Sequence, residues 1–169
     1  RAIFGLPDMD GDGIGELVIG APLHRSSGAV FLANSSSSKL EQLAAGRFTD
    51  SSFGFAITSL GDVNGDEVID LVVGAPNADG AGSVTMLDLN GKIAWSVTGD
   101  MRGALFGASL AAFEQTDYRS STTSFIAGAP GYRGNRGAVY KISSLGESEL
   151  IGRGNSEGSQ LGSSVAVMP

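Results

Sequence analysis

The chain has no cysteine, one histidine, one tryptophan and five prolines in 169 residues. Without cysteine it has neither a disulfide framework nor a thiolate metal site. With His24 as the single histidine, a Ser-His-Asp arrangement would have to be built around one loop residue. No apolar run approaches the roughly 18 residues of a membrane span, so membrane insertion is not expected. Charged residues are scarce at 17%, and the net charge of -7 comes without a basic patch, which argues against nucleic acid. No P-loop, dinucleotide fingerprint or zinc spacing occurs. The chain is nevertheless 41% hydrophobic, too apolar for a disordered segment, and long enough to bury a core.

Glycine, by contrast, is abundant at 26 residues, and it is periodic. Gly-Ala-Pro occurs at Gly20-Ala21-Pro22, Gly74-Ala75-Pro76 and Gly128-Ala129-Pro130, each separated from the next by 54 residues. Phe53-Gly54, Phe106-Gly107 and Leu161-Gly162 form a second series, and Gly28-Ala29-Val30, Gly82-Ser83-Val84 and Gly137-Ala138-Val139 a third. Three landmarks in one order at one period define an internal repeat. Within each unit the apolar runs are four to six residues long, bounded by Gly, Pro, Asp or Asn, and rich in β-branched and aromatic types, which predicts strands. Four such strands per unit make the blade of a β-propeller, so the fold is all-β, with three blades in one repeat domain over residues 1–169. The continuous runs Leu17-Val18-Ile19, Leu71-Val72-Val73 and Phe125-Ile126-Ala127 are expected to be the buried inner strands, with the later, alternating runs nearer solvent. Leu40 to Ala45 has helical propensity, although its equivalents in the other units read as strand. Residues 1–7 align with 163–169, so both ends read as the same blade strand, as in a piece of a longer array or a subunit that joins head to tail.

Two loops carry carboxylates at alternate positions. Asp8, Asp10, Asp12 and Glu16 occupy positions 1, 3, 5 and 9 of residues 8–16, and Asp62, Asn64, Asp66 and Asp70 the same positions of residues 62–70. Alternate side chains on a tight, Gly-relaxed turn converge, and the position-7 carbonyl of Ile14 or Val68 adds an oxygen. Six to eight oxygens in flexible geometry suit Ca²⁺ better than Mg²⁺, which predicts two calcium sites. Ordinary solvated Asx turns are the alternative, and their recurrence at one phase of a repeat weighs against it. An EF-hand is excluded, because position 12 is Ile19 or Val73 rather than Glu. The third unit keeps one carboxylate, Asp117, with Gln115, Arg119, Ser121 and Thr123 at the other alternate positions, so the loop at 115–123 is expected to bind no ion and Arg119 to supply the charge.

Phe53-Gly54, the loop Asp62-Val63-Asn64-Gly65-Asp66 and Asp70-Leu71-Val72-Val73-Gly74-Ala75-Pro76 resemble the FG-GAP repeat of integrin α-subunit propellers. The resemblance covers essentially the whole chain. It implies a propeller with calcium in the loops joining first and second strands, an extracellular setting, and adhesion or partner binding. The chain departs from the family at Glu16, where Asp is usual, at Glu67, where Gly is usual, and in holding three blades where seven are usual. The loops after Gly-Ala-Pro vary most, and Tyr132, Arg133 and Arg136 form the most interface-like set for a protein partner. Asn34-Ser35-Ser36 is an N-glycosylation pattern, and Ser35–Ser38 and Ser120–Ser124 are hydroxyl-rich. Trp95 reads as a core residue before a sugar platform. The chain is therefore expected to be a non-enzymatic, calcium-binding extracellular propeller segment, binding a protein partner, copies of itself or a glycan. The alternative is the accessory propeller of a secreted hydrolase or carbohydrate-binding protein.

Overall fold

A computed structural model describes residues 2–34, 36–37, 39–113 and 123–168. They form three four-stranded antiparallel sheets, each with its strands in chain order. The first holds β1 (Ile3–Gly5), β2 (Leu17–Ala21), β3 (Ala29–Asn34) and β4 (Lys39–Ala45). The second holds β5 (Ala56–Gly61), β6 (Asp70–Ala75), β7 (Ser83–Asp88) and β8 (Ile93–Thr98). The third holds β9 (Ser109–Ala112), β10 (Ser124–Ala129), β11 (Ala138–Ser143) and β12 (Ser148–Arg153). These are three consecutive blades of an incomplete β-propeller. Lys39–Ala45 is a strand despite its helical propensity, because it pairs along β3 from Asn34 to Ala29.

The runs before Gly-Ala-Pro become β2, β6 and β10, the second strands of their sheets rather than the innermost. The first strands β1, β5 and β9 take the inner edge, and β5 meets both β9 and β1 across the blade boundaries. The apolar runs have a different reason, seen best in β6: a second strand flanked by two blades is covered on both faces, whereas β2 leaves Leu17 exposed. In β6 every residue is buried, with Val72 packed toward the third blade and Leu71 and Val73 toward the first. The outermost strands β4, β8 and β12 are mostly exposed, as the alternation predicts. Residues 163–168, expected to repeat the strand at 1–7, are not assigned to a strand, whereas Ile3–Gly5 pairs with β2.

The core is two seams rather than one centre. The first groups Val18, Val30 and Phe53 with Leu71, Val73 and Leu87; the second groups Val72, Val84 and Met86 with Phe106, Phe125 and Ile142. Trp95 belongs to the second seam, stacked 6.2 Å from Phe125 and donating its indole N–H to the Ser144 carbonyl at 2.9 Å, which is the packing role expected of it.

All three glycine landmarks meet at the seams. Phe53 and Phe106 form isolated parallel bridges with Gly28 and Gly82, and Leu161 does so with Gly137. The glycine that follows each of them stands at positive φ, with Gly54 at 87° and Gly107 at 86°. Gly54 donates its N–H to the Gly74 carbonyl at 3.1 Å, and Gly107 does the same to Gly128 at 3.0 Å. On its other side the Gly54 carbonyl lies so close to Gly20 that an added Cβ would stand 2.0 Å from it, and Gly107 crowds Gly74 to the same degree. Each Phe-Gly thus staples one blade to the next, backbone against backbone.

Candidate metal centre

The first acidic loop joins β1 to β2 and the second joins β5 to β6, so both open on the same end of the blades. Their backbone N–H groups fold onto their own carboxylates in one pattern. At position 1, Asp8 accepts from Gly11 at 2.7 Å and Gly13 at 2.8 Å, and Asp62 accepts from Gly65 at 2.7 Å and Glu67 at 2.8 Å. The side chain at position 3 accepts from the N–H at position 5, Asp12 to Asp10 at 3.2 Å and Asp66 to Asn64 at 2.9 Å. Position 5 accepts from position 7, where Ile14 and Val68 donate at 2.8 and 2.9 Å. The position-9 acid is buried and takes the N–H of position 2, Met9 to Glu16 at 2.8 Å and Val63 to Asp70 at 3.1 Å. The extra methylene of Glu16 therefore reaches the partner that Asp70 reaches, and the departure from Asp keeps the pattern.

Asp8, Asp10, Asp12 and Glu16 each bring one carboxylate oxygen to within 4.8 Å of the others. Among the described residues no second group of acids or histidines converges so closely; the second loop carries an amide, Asn64, at position 3. Packing like charges this way is costly unless something positive or donating faces them. The Glu67 N–H, with those of Gly65 and Asp66, holds the Asp62 carboxyl below its usual value. Burial, followed by the charges of Asp66, Asp62 and Asp88, pushes Asp70 up. The Ser36 hydroxyl, at 2.6 Å from Asp10 Oδ2, lowers Asp10, and the Asn34 amide donates to the same oxygen at 3.0 Å. Sequence reasoning placed Asn34 in a glycosylation pattern and missed this contact. No local signal carries it, since the two residues lie 24 apart and are joined only by the blade.

Glu67 stands at φ 66°, where the equivalent Gly13 stands at 87°. A left-handed conformation costs a non-glycine residue roughly 1 kcal/mol. Glu67→Gly is therefore expected to stabilise the chain by up to about 1 kcal/mol, less the extra chain entropy that glycine loses on folding. Urea melts of the two forms check this, and a less stable glycine variant would show that the Glu67 side chain holds the loop.

Tyr132, Arg133 and Arg136 lie together on the turn after β10, but not as a uniformly exposed set. Tyr132 is buried in the second seam, while Arg133 and Arg136 are exposed beside a hollow of about 220 Å³. Arg153, which sequence reasoning did not select, joins them: its guanidinium lies 6.0 Å from the Tyr132 ring centroid, against 5.5 Å for Arg133. Of the third loop, residues 115–122 lie outside the described residues, and Thr123 is buried.

Blades stapled by glycine, with acidic loops between first and second strands, define a β-propeller repeat module. No family model matches the chain. It is 30% identical over 151 residues to integrin alpha-D of Homo sapiens, covering 82% of the chain and 13% of that protein. It is 34% identical over 127 residues to integrin alpha-6 of Gallus gallus, covering 67% and 12%, and 32% identical over 119 residues to integrin alpha-4 of Xenopus laevis, covering 64% and 12%. The chain spans only 6–13% of the length of the curated relatives it matches. By fold it is similar to a fucose lectin from Kordia zhangzhouensis, solved with methyl-fucoside, at a TM-score of 0.60 and 18% identity, covering 89% of this chain and 97% of that one. The three units are β-propeller repeats of the integrin α kind, the FG-GAP family that the sequence landmarks resemble.

Proposed function

We propose that the chain is a non-enzymatic, calcium-stabilised segment of an extracellular β-propeller that binds a protein partner in adhesion or assembly. One observation carries the reading: two loops at the same phase of the repeat fold their amides onto their carboxylates in the same pattern, and the first brings four carboxylate oxygens within 4.8 Å of one another. The donor set fits a hard divalent cation, since every ligand offered is an oxygen and calcium accepts six to eight oxygens without a strict geometry. Asp8, Asp10, Asp12 and Glu16 with the Ile14 carbonyl would hold one Ca²⁺, and Asp62, Asn64, Asp66 and Asp70 with the Val68 carbonyl a second. The ion supplies positive charge that ties the β1–β2 and β5–β6 connections to their blades. Partner contact falls to the exposed ends of the blades, with Arg133 and Arg136 as the leading residues and Tyr132 as the ring that supports Arg133.

Metal that binds only folded loops stabilises the fold by mass action, about 2.7 kcal/mol per site at a hundred times Kd. Calcium is therefore expected to bind with a stoichiometry of two and to raise the melting temperature, and chelator to lower it. A melt unmoved by chelator, or a stoichiometry near zero, overturns the reading. A glycan array on the purified chain tests the alternative, a carbohydrate-binding accessory propeller, and saturable binding there would replace the protein partner with a glycan.

A further inference from the structure

The hydrogen bonds and strand pairings of the repeat align the three blades residue by residue. Gly28, Gly82 and Gly137 donate to the carbonyls of His24, Ala78 and Tyr132. The residues that follow those three, Arg25, Asp79 and Arg133, share one conformation, with φ at 47°, 48° and 48°. Ser27, Ala81 and Arg136 stand directly before the same glycines. On the last strands, Ala45 pairs with Ala29, Thr98 with Ser83 and Arg153 with Ala138. The third blade thus holds arginine at all three positions. The first holds Arg25, Ser27 and Ala45 there, and the second Asp79, Ala81 and Thr98.

Arg133, Arg136 and Arg153 line one hollow with Tyr132, Gly154 and Asn155, and among the described residues no carboxylate shares that lining. The wall is fixed from beneath. Tyr132 is buried and meets Tyr140 edge-on, with centroids 6.4 Å apart, and Tyr140 in turn meets Phe106 edge-on at 5.1 Å. The Arg133 and Arg153 guanidiniums both lie over the Tyr132 ring. The backbone N–H of Arg133 also donates to Met101 Sδ at 3.4 Å, which ties the turn to the segment before Phe106. A guanidinium resting on an aromatic face keeps its edge of N–H donors for a planar oxyanion, and has less freedom to lose when one arrives. Positive charges that share one space repel each other until an anion enters.

The hollow measures about 220 Å³. At roughly 10–15 Å³ for one water, a carboxylate and the stem that carries it enter without moving the protein. The positive charge is local, however. The chain as a whole carries -7, and Glu157 stands nearby, its Oε1 3.7 Å from where a Cβ on Gly134 would lie. Asp100 is close as well, bound at 2.9 Å by the Tyr140 hydroxyl. Charges are screened beyond about 8 Å at physiological salt, so the hollow draws an acid placed in it. A long polyanion would run onto the acidic surface beyond. We propose that this hollow receives aspartate or glutamate side chains from an acidic segment of the protein partner, their carboxylates taken by Arg133, Arg136 and Arg153. The proposal rests on the protein-partner reading and names the chemistry of that partner. A planar guanidinium matches a carboxylate with two parallel hydrogen bonds, which a neutral amide does not reproduce.

Titration of the 169-residue chain with hexaglutamate at fixed ionic strength, read from the backbone ¹⁵N–¹H resonances of Arg136, Gly154 and Asn155, tests this. Saturable shifts at those amides are expected, and hexaglutamine should give none. All three arginines are exposed, so their alanine variants should stay folded. Arg136→Ala and Arg153→Ala should each weaken binding roughly two- to fivefold, as exposed ion pairs do, and added salt should weaken it further. Should Arg153→Ala fail to fold, Arg136→Ala and the hexaglutamine arm decide. Shifts that do not saturate, or hexaglutamate affinity unchanged in the folded variants, overturn the site and leave a protein partner to another surface. A heparin fragment that binds more tightly than hexaglutamate and weakens in the same variants overturns the acidic segment and the protein-partner reading together. No calcium is added, because hexaglutamate would itself bind it, so the outcome is independent of the metal reading.

Discussion

Gly74→Ala is expected to cost the chain about 3 kcal/mol or more. An added Cβ would stand 2.0 Å from the Gly107 carbonyl oxygen and 3.0 Å from its carbon, and both are backbone. A flexible side chain could swing aside, but Gly107 is held at φ 86° by its own bond to Gly128, so the two blades must separate instead. Inserting one methyl into a packed core ordinarily costs about 1–3 kcal/mol, and a clash that neither partner can relieve lies at the upper end or beyond. For a chain of this size that is a fall of roughly 6–12 °C in Tm. Gly5→Ala is the control, because a Cβ there meets nothing within 4 Å and the backbone is not left-handed. Thermal or urea melts decide, and equal losses for Gly5→Ala and Gly74→Ala would mean that the seams are looser than the staple implies.

That contact explains why the repeat was so legible and what remained hidden in it. Gly20, Gly74 and Gly128 recur because each faces the glycine of the next landmark, Gly54, Gly107 or Gly162, so a steric demand between blades is written as a short, constant word. The acidic loops are legible for a similar reason: their bonds run between residues two to seven apart, and a local turn needs local residues. Strand order within the blade was misplaced because burial on both faces produces the same apolar run whether a strand is first or second, and only pairing separates the two. The ring pairs were hidden altogether. Tyr132 and Tyr140 lie eight apart in one unit, and only the folding of the turn back onto β11 brings their rings together, while the contact of Tyr140 with Phe106 crosses from one unit to the next. Tyr132 read as an interface residue from its type alone, and packing put it inside.

The second large effect is a change of sign. Asp70 is 1% exposed, and burial and the neighbouring charges of Asp66, Asp62 and Asp88 push its pKa above the ordinary 3.8. Without a cation, its charge is therefore a liability to the fold. Asp70→Asn keeps an oxygen to accept the Val63 N–H, drops the charge, and turns an amide donor toward three carboxylates. In chelator the variant is expected to be at least as stable as the parent. The linkage runs in a definite direction: the folded form binds the Asp70 proton more tightly than the unfolded form, so the parent loses stability as pH rises from 3.8 through the higher folded value. The advantage of Asn should thus be absent at the acid end and grow with pH. In saturating calcium the order reverses, because an amide replaces a carboxylate ligand and the ion is held less well. A hundredfold loss of affinity would remove up to about 2.7 kcal/mol of the stabilisation that the ion supplies. Paired melts of parent and variant, with calcium and with chelator across pH, measure all of this. A variant weaker by the same amount in both conditions would show that Asp70 serves the fold through its bond to Val63 alone, and that the second loop holds no ion.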